Sequence, residues 1–307
     1  RQNDALRVPA SGTPRTVRSA DGTELHVEEF GPSDGSTVRL LHGWTETIGY
    51  WTPVIRELQA RGLRIVAMDL RGHGSSGRAA EGDYSLTRFG EDLEAVLVDS
   101  VPDGEHALVA GHSLGAMSIA AWAEHHDVQR LVCAAALLNT GVDDLIAESL
   151  LIPLPRIAQA LNRTIAVHGF LGSRAPLPRF STPLSHGVIR YAAFGLAATP
   201  AQVAFYERML IATPPDVRAD VGIAMSEMSL HHALKRLTVP TLVLAGEKDR
   251  LTPPSHARSI AEMVPELHKL VVIDGTGHMA PLERPQEISA ELAELVSVAR
   301  AVRSVTG

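Results

Sequence analysis

Apolar residues recur along this chain in short runs, and these runs alternate with segments whose apolar positions follow the helical period. Runs that predict buried strands lie at 38–41, 64–70, 107–110, 128–138, 239–245 and 269–273. Segments that predict helices lie at 51–61, 85–101 and 285–302. Ser85 suits an N-cap for the second helix, and Thr252 followed by Pro253 predicts a further helix start. Since strands that alternate with helices need crossover connections, we predict an α/β fold with a mainly parallel sheet covered by helices on both faces.

The beginning and the middle of the chain depart from this alternation. Residues 1–14 show no periodicity, which predicts a mobile N-terminal arm. Alternating segments at 16–19 and 24–30 then flank an Asp-Gly turn, which predicts a hairpin at a sheet edge. Between 141 and 237 the chain is rich in Ala, Leu and Pro and predicts a helical insertion, which leaves 15–140 and 238–307 as the core. Amphipathic pieces of the insertion lie at 145–161, 188–197, 200–211 and 217–230.

Composition and charge narrow the class of partner. The 307 residues are 45% hydrophobic and 21% charged, as in folded globular proteins, and the formal charge of −7 comes with no basic patch for nucleic acid. No apolar run approaches the roughly 20 residues that span a bilayer, so we expect no stable membrane insertion. A small-molecule substrate is the expected partner, and the sequence leaves the oligomeric state open.

The cysteine content and the N-terminal residues bear on where the protein is found. The single cysteine, Cys133, excludes an intrachain disulfide, and its apolar surroundings predict a buried core position. The first fifteen residues are polar and lack the apolar core of a signal peptide, so we expect a cytoplasmic protein. The chain opens at Arg1, and a leader removed before that residue is also compatible with it.

One stretch organises the candidate chemistry. The apolar run at 107–110 stops at GHSLG, residues 111–115, and Ala-rich sequence with helical character follows. This pattern predicts a strand, a sharp turn and a helix, with Ser113 at the tip of the turn. Glycines two positions to either side keep side chains away where strand and helix nearly collide. Ser113 is therefore the candidate nucleophile, and an ordinary Gly-Ser turn is the alternative.

A serine nucleophile needs a base to accept its proton. Of the fourteen histidines, only His42, His73, His112 and His278 lie in the elbow or in loops after strands. His112 adjoins Ser113 where neighbouring side chains diverge, and His42 precedes a glycine that suits an oxyanion site. His278, in a glycine-flanked loop after the last predicted strand, is the candidate base.

The base in turn needs a carboxylate to fix its tautomer. Asp249 follows the strand before His278 and is held by a helix start, so we assign it this role. Asp143 and Asp144, after the preceding strand, remain alternatives. Asp69 precedes a glycine-rich turn and is expected to accept structural hydrogen bonds there.

A developing oxyanion needs two preorganised donors. The backbone N–H of Leu114 follows the nucleophile at a helix N-terminus, where the dipole favours negative charge. We assign the second donor to the backbone N–H of Trp44, in the loop 42–44.

Taken together, these motifs resemble the α/β-hydrolase superfamily, and specifically its serine esterases and lipases with a helical cap. The motifs are HGW at 42–44, DLRGHGSS at 69–76, GHSLG at 111–115, GEKDRLTP at 246–253 and GTGHMAPLERP at 275–285. The resemblance spans 16–302 apart from the insertion, and it implies an eight-stranded sheet. It carries the order nucleophile, acid, histidine onto Ser113, Asp249 and His278, and the oxyanion donors onto Trp44 and Leu114. The insertion at 141–237 resembles the family's cap.

Two features of the motifs refine this resemblance. Ala116 stands where many relatives have a second glycine, which we expect to affect helix packing more than chemistry. Ser113 separates the chain from epoxide hydrolases and haloalkane dehalogenases, which place aspartate at the elbow.

The predicted reaction is hydrolysis of a carboxylic ester through an acyl-enzyme, without metal or organic cofactor. The apolar insertion favours a lipophilic or neutral acyl group over a phosphorylated or CoA-linked one. Apolar residues of the insertion that either line the pocket or form the cap core are Leu145, Leu150, Phe170, Phe205, Met225 and Met228. Carbon–carbon bond hydrolysis, peracid formation of the haloperoxidase and perhydrolase type, thioester cleavage and a slow-turnover receptor of the same fold remain alternatives.

Overall fold

The computed structural model describes residues 6, 10–79, 81–143, 145, 171–178 and 180–306. Its strands are β1 (Thr13–Arg18), β2 (Glu24–Phe30), β3 (Thr37–Leu41), β4 (Arg64–Met68), β5 (Ala107–His112), β6 (Val132–Leu138), β7 (Thr241–Gly246) and β8 (Leu267–Ile273). Its helices are α1 (Thr52–Ala60), α2 (Leu86–Ser100), α3 (Leu114–His125), α4 (Val128–Leu131), α5 (Pro183–Ala193), α6 (Pro200–Ala212), α7 (Pro215–Ser226), α8 (His231–Leu234), α9 (Pro254–Met263), α10 (Ala280–Glu283) and α11 (Pro285–Thr306), with a 3-10 helix at Ile48–Trp51.

The strands form one eight-stranded sheet in the order β1-β2-β4-β3-β5-β6-β7-β8. The pairs β1–β2 and β2–β4 are antiparallel, and all other neighbours are parallel. This confirms the predicted α/β class, the eight strands and the edge hairpin, whose register pairs Arg18 with Glu24. The connection after β3 leads to one side of the sheet and that after β5 to the other, so the winding reverses between these neighbours. Ligands of such sheets bind at this reversal, beyond the carboxyl ends of the strands.

Helices cover both faces of the sheet, and each face carries its own apolar core. On one face the sheet packs against α2, α3, α8 and α9, through side chains such as Phe89, Leu93, Trp122 and Ile260. On the other it packs against α1, α10 and α11, through side chains such as Trp51, Ile55 and Leu292. Central strands are buried throughout, for example β5 and β7, which explains their continuous apolar runs.

Several predicted boundaries differ from the structure. Residues 128–131 form α4 rather than the start of a strand, because the Asp127 side chain accepts the N–H of Gln129 and caps a helical turn. Ser85 occupies the N-cap position of α2, but its hydroxyl makes no capping bond there. β1 begins at Thr13, inside the predicted arm, whose residues 1–5 and 7–9 lie outside the described part. Cys133 is half-buried rather than fully buried.

The described part of the predicted insertion contains helices α5 to α8, joined by irregular segments. The piece predicted at 188–197 is instead α5, Pro183–Ala193, because Thr182 and Ser185 form a capping box ahead of it and Pro183 suits the first turn. Thr199 and Gln202 begin α6 in the same way. Residues 146–170, with Leu150 and Phe170, lie outside the described residues. Met225 is buried in the core of one sheet face, and Leu145 and Met228 pack against that core. Phe205 packs against the core of the other face. These contacts favour the core alternative over pocket lining.

The two ends of the insertion lie side by side on the core. The N–H of Leu230 donates to the carbonyl of Val142, at 2.9 Å. The side chains of His231 and Asp143 meet at 2.6 Å between Nε2 and Oδ2. The chain therefore leaves and rejoins the core at one place.

Two glycines inside helices allow a matched test of this packing. At Gly90 in α2, a Cβ atom would lie 2.9 Å from the backbone nitrogen of Trp122 in α3, whereas at Gly187 in α5 nothing lies within 4 Å. We expect Gly90→Ala to destabilise the protein by about 1–3 kcal/mol through overpacking. Gly187→Ala is expected to stabilise it by about 0.5–1 kcal/mol, because alanine is the better helix former. Denaturant unfolding of both variants measures this, and a shift of both in the same direction would contradict it.

Candidate active site

Ser113 lies on a strained turn between β5 and α3. Its backbone has φ of 49° and ψ of −114°, a region that costs energy for a residue with a side chain. A Cβ atom at Gly111 would lie 2.4 Å from the nitrogen of Ala116, and one at Gly115 would lie 2.3 Å from the carbonyl oxygen of Leu41. Both flanking positions therefore require glycine, as predicted. Ser113 is 8% exposed, at the carboxyl end of the sheet.

Helix α3 begins at Leu114, directly after the serine. The first N–H groups of a helix have no intrahelical acceptor and carry its partial positive charge. Ser113 makes no side-chain capping bond to this helix end. The elbow thus combines a serine hydroxyl with a backbone N–H suited to an anion.

His278 and Asp249 are joined by a buried hydrogen bond. Nδ1 of His278 lies 2.8 Å from Oδ2 of Asp249. The backbone N–H of His278 donates to the carbonyl of Ala193 at the end of α5, at 2.8 Å. With the Nδ1 proton held by the carboxylate, Nε2 is the nitrogen able to accept a proton.

Asp249 is held by more partners than the histidine alone. The Asn139 side chain amide donates to Oδ2 at 3.0 Å, and the hydroxyl of Thr252 donates to the same oxygen at 2.9 Å. The N–H groups of Leu251 and Thr252 donate to Oδ1, each at 2.9 Å. Burial raises the pKa of Asp249, but the neighbouring His278 and these donors outweigh it, so that the pKa lies below its ordinary value. Asp249 is therefore ionised at neutral pH.

Thr252 does not cap the following helix as the sequence predicted. Its hydroxyl and N–H both serve Asp249, and Pro253 occupies the N-cap position of α9. This helix begins at Pro254, one residue later than predicted, so Thr252 lies before the N-cap position.

The elbow and the loop of His278 are in contact through His112. The ring of His112, next to Ser113, lies 4.9 Å from the ring of His278, centroid to centroid. Within the described part of the chain, no hydrogen bond joins Ser113 to His278. Such bonds are often long in substrate-free sites and shorten when substrate binds.

A second buried pair lies beneath the elbow. Nδ1 of His112 is 3.1 Å from Oε2 of Glu46, and its Nε2 is 2.9 Å from the carbonyl oxygen of His278. Burial lowers the pKa of His112, but the carboxylate of Glu46 and the His278 carbonyl more than compensate and raise it. Oε2 of Glu46 also accepts the N–H of Gly43, at 2.5 Å. One ion pair thus ties together the elbow, the loop of His278 and the loop after β3.

The loop after β3 passes directly over the elbow. A Cβ atom at Gly43 would lie 2.9 Å from Nδ1 of His112, so glycine is required there. The half-buried Trp44 donates its indole N–H to the carbonyl of Arg218 in α7, at 3.0 Å. The structure therefore brings the backbone at Trp44 and that at Leu114 to the same edge of the sheet, after the adjacent strands β3 and β5.

The other candidate residues serve the scaffold. His42 bonds the carbonyl of Gly43 through Nδ1 and the N–H of Leu70 through Nε2. Asp69 accepts the N–H groups of Ile48 and Ser75, at 2.7 Å and 2.8 Å, which confirms its structural role. Asp143 pairs with His231 rather than His278. Asp144 lies outside the described residues.

Glu283 is a site residue that the sequence reasoning missed. Its carboxylate accepts the N–H of Gly277, before His278, at 3.0 Å, and the N–H of Gly195, after α5, at 2.9 Å. It thereby joins the histidine loop to the cap. Burial raises the pKa of Glu283 to about 7, opposed by the two backbone donors and by Arg284 and assisted by Asp249.

The described residues form neither a metal cluster nor a membrane span. No group of three or more His, Cys, Asp or Glu among them is placed to hold a metal ion. In the same part of the chain, no helix is both long and apolar enough to cross a bilayer.

Comparison with known proteins identifies the family. A family model described as alpha/beta hydrolase fold matches residues 37–285. A non-heme haloperoxidase of Rhodococcus erythropolis is 27% identical, over 91% of this chain and 98% of that protein. The bifunctional esterase/perhydrolase DCH of Acinetobacter calcoaceticus is 26% identical, again over 91% and 98%. In fold, a thermophilic esterase from Thermogutta terrifontis superposes with a TM-score of 0.72 at 23% identity, covering 94% of this chain and 99% of that one.

The buried carboxylate of Glu283 predicts a pH dependence of stability. Because its pKa is about 7 when folded and 4.5 ordinarily, its contribution to stability is full below about 4.5 and is lost as the pH rises through about 7. Glu283→Gln cannot titrate. We expect the unfolding free energy of wild type minus that of Glu283→Gln to fall between pH 5 and 8, by on the order of 3 kcal/mol.

Glu287→Gln is the control, because the side chain of Glu287 is 58% exposed one turn further along. Its difference from wild type is expected to stay flat over the same range. Denaturant unfolding at several pH values measures both, and a flat difference for Glu283→Gln would refute the assignment.

Proposed function

Because this chain belongs to the alpha/beta hydrolase fold family, we propose that it is a serine hydrolase that cleaves carboxylic esters through an acyl-enzyme. The observation that carries the proposal is the strained elbow at Ser113, which contacts the loop of His278 through the neighbouring His112. His278 is in turn hydrogen-bonded to a buried, ionised aspartate. In the family, the chemistry needs only these groups and a water molecule.

The proposed first half-reaction forms the acyl-enzyme. Oγ of Ser113 attacks the carbonyl carbon of the ester while Nε2 of His278 accepts its proton. The backbone N–H groups of Trp44 and Leu114 stabilise the oxyanion of the tetrahedral intermediate. Asp249 stabilises the imidazolium by charge. The alcohol then leaves, taking the proton from His278.

The second half-reaction restores the enzyme. Water gives a proton to His278 and attacks the acyl carbon. The resulting intermediate collapses, the carboxylic acid leaves, and Ser113 regains its proton from His278. The net reaction consumes only the ester and one water molecule.

A lipophilic or neutral acyl group is the proposed substrate class. Two cationic side chains of the cap are occupied within it, since Arg174 pairs with Asp220 and Arg218 donates to the carbonyls of Ser173 and Ala175. Both guanidinium groups thus have partners within the insertion, Arg174 at the exposed surface, which supports a neutral substrate over a phosphorylated or CoA-linked one.

Perhydrolysis is a second candidate, because the relatives include a protein with that activity in its name. In this reaction hydrogen peroxide replaces water in the second half-reaction, and the acyl group leaves as a peracid. Ser113, His278 and Asp249 keep the same roles.

We expect Ser113→Ala to lower the hydrolysis of p-nitrophenyl esters at least about a thousandfold, because it removes the nucleophile. Esters of graded chain length are assayed, with Ser297→Ala, an exposed position on α11, as the control with unchanged rates. A fluorophosphonate is expected to label wild type only at Ser113. Equal rates in wild type and Ser113→Ala would refute the proposal.

The same assay separates the alternatives. One equivalent of released alcohol without further turnover indicates a slow receptor. Peracid formed from ester and hydrogen peroxide, faster than ester hydrolysis, indicates the perhydrolase. Cleavage of a diketone without cleavage of any ester indicates a carbon–carbon hydrolase.

A further inference from the structure

Thr45, next to the proposed oxyanion donor, has an unusual backbone. Its φ is 62°, in the left-handed region that β-branched residues avoid. Such a conformation is strained and persists only where the surroundings hold it. Thr45 is fully buried, so the holding contacts are within the protein.

Two hydrogen bonds of the Thr45 hydroxyl supply this hold. The hydroxyl donates to the carbonyl of Trp44 at 2.6 Å, and its oxygen lies 3.0 Å from the phenolic oxygen of Tyr206. A threonine hydroxyl has a single proton, so Tyr206 is the donor in the second bond. Burial raises the pKa of Tyr206, which keeps that proton in place.

Tyr206 is itself rigidly placed on cap helix α6. Its ring packs edge-on against Phe194, at 6.1 Å between centroids. One turn earlier in α6, the side chain amide of Gln202 donates to the carbonyl of Leu282 in α10, at 2.6 Å. The phenol is therefore anchored to the core that also carries the histidine loop.

We propose that Tyr206 is a positioning residue for the oxyanion hole. Through the chain Tyr206 O–H to Thr45 O–H to Trp44 C=O, the cap holds the 44–45 peptide and so aims the N–H of Trp44, one peptide earlier. Without the phenolic proton, Thr45 is released to relax toward negative φ, and the donor moves away from the oxyanion. This inference rests on the proposed ester hydrolysis.

The size of the effect follows from the role of one donor. Removal of an oxyanion donor costs about 10²–10³ in kcat, and a misplaced donor costs less. We expect Tyr206→Phe to lower kcat about 10- to 100-fold while KM stays within about threefold. A tetrahedral boronic acid inhibitor should bind more weakly by a similar factor, because it presents its oxygen where the oxyanion forms.

The experiment compares Tyr206→Phe, Thr45→Val and the double variant with wild type. Thr45→Val keeps the β-branch and removes the same hydrogen bond from the other side, so the double variant is expected to be no worse than the poorer single one. Thr45→Ser, which keeps the hydroxyl, should retain wild-type kcat. Tyr191→Phe is the control, since Tyr191 lies 51% exposed on cap helix α5.

Several results would overturn this assignment. These are an unchanged kcat in Tyr206→Phe and Thr45→Val, a loss confined to KM, additive losses in the double variant, or unchanged boronate affinity. Wild type and Ser113→Ala are assayed first on the same esters. Ester hydrolysis that depends on Ser113 but not on Tyr206 removes the positioning role alone, whereas its absence in wild type removes the proposed function.

Discussion

The site depends on a close backbone contact between the start of α3 and the end of β3, which is possible only because residue 115 is glycine. The first turn of α3 lies so close to the end of β3 that a methyl group at Gly115 would come within 2.3 Å of the Leu41 carbonyl. This contact fixes the helix end against the loop of Trp44 and turns Ser113 outward. Everything else at the carboxyl edge of the sheet is arranged around that turn. A side chain at Gly115 would push α3 away from the end of β3, and one at Gly111 would push β5 away from the first turn of α3.

Around the elbow, buried carboxylates join segments that the chain keeps far apart. Glu46 joins the loop after β3 to His112, and Glu283 joins the histidine loop to the cap. Each accepts two donors, at least one of them a backbone N–H, which offsets part of the cost of burying the carboxyl group and makes it a geometric restraint. His278 and Trp44 also donate hydrogen bonds to helices α5 and α7, to the carbonyls of Ala193 and Arg218. The inserted segment therefore helps to position the loops of the candidate site.

Whether a feature could be predicted from the sequence depended on how far apart in the chain its interacting residues lie. The strands, the elbow at Ser113 and the glycine-flanked loop of His278 are written in local patterns, and these were predicted. Glu46, Glu283 and Tyr206 were not, because their partners lie 66, 88 and 161 residues away and no local period marks them. Thr252 shows a different failure, since a local rule predicted a helix cap there but the helix begins one residue later, at Pro254, and the Thr252 hydroxyl donates to Asp249. The residue roles assigned to Ser113, Asp249, His278, Trp44 and Leu114 remain predictions about chemistry, now with a geometry attached.

The adjoining ends of the insertion have a consequence for protein engineering. Because the N–H of Leu230 bonds the carbonyl of Val142, a foreign lid could be spliced in at one stem without altering the core's connectivity. Such a graft would fit the stem and still fail at the far side, where Ala193 and Arg218 meet the loops of the site. A chimera of this kind therefore has to include the residues at positions 193 and 218 that contact the core, together with the lid.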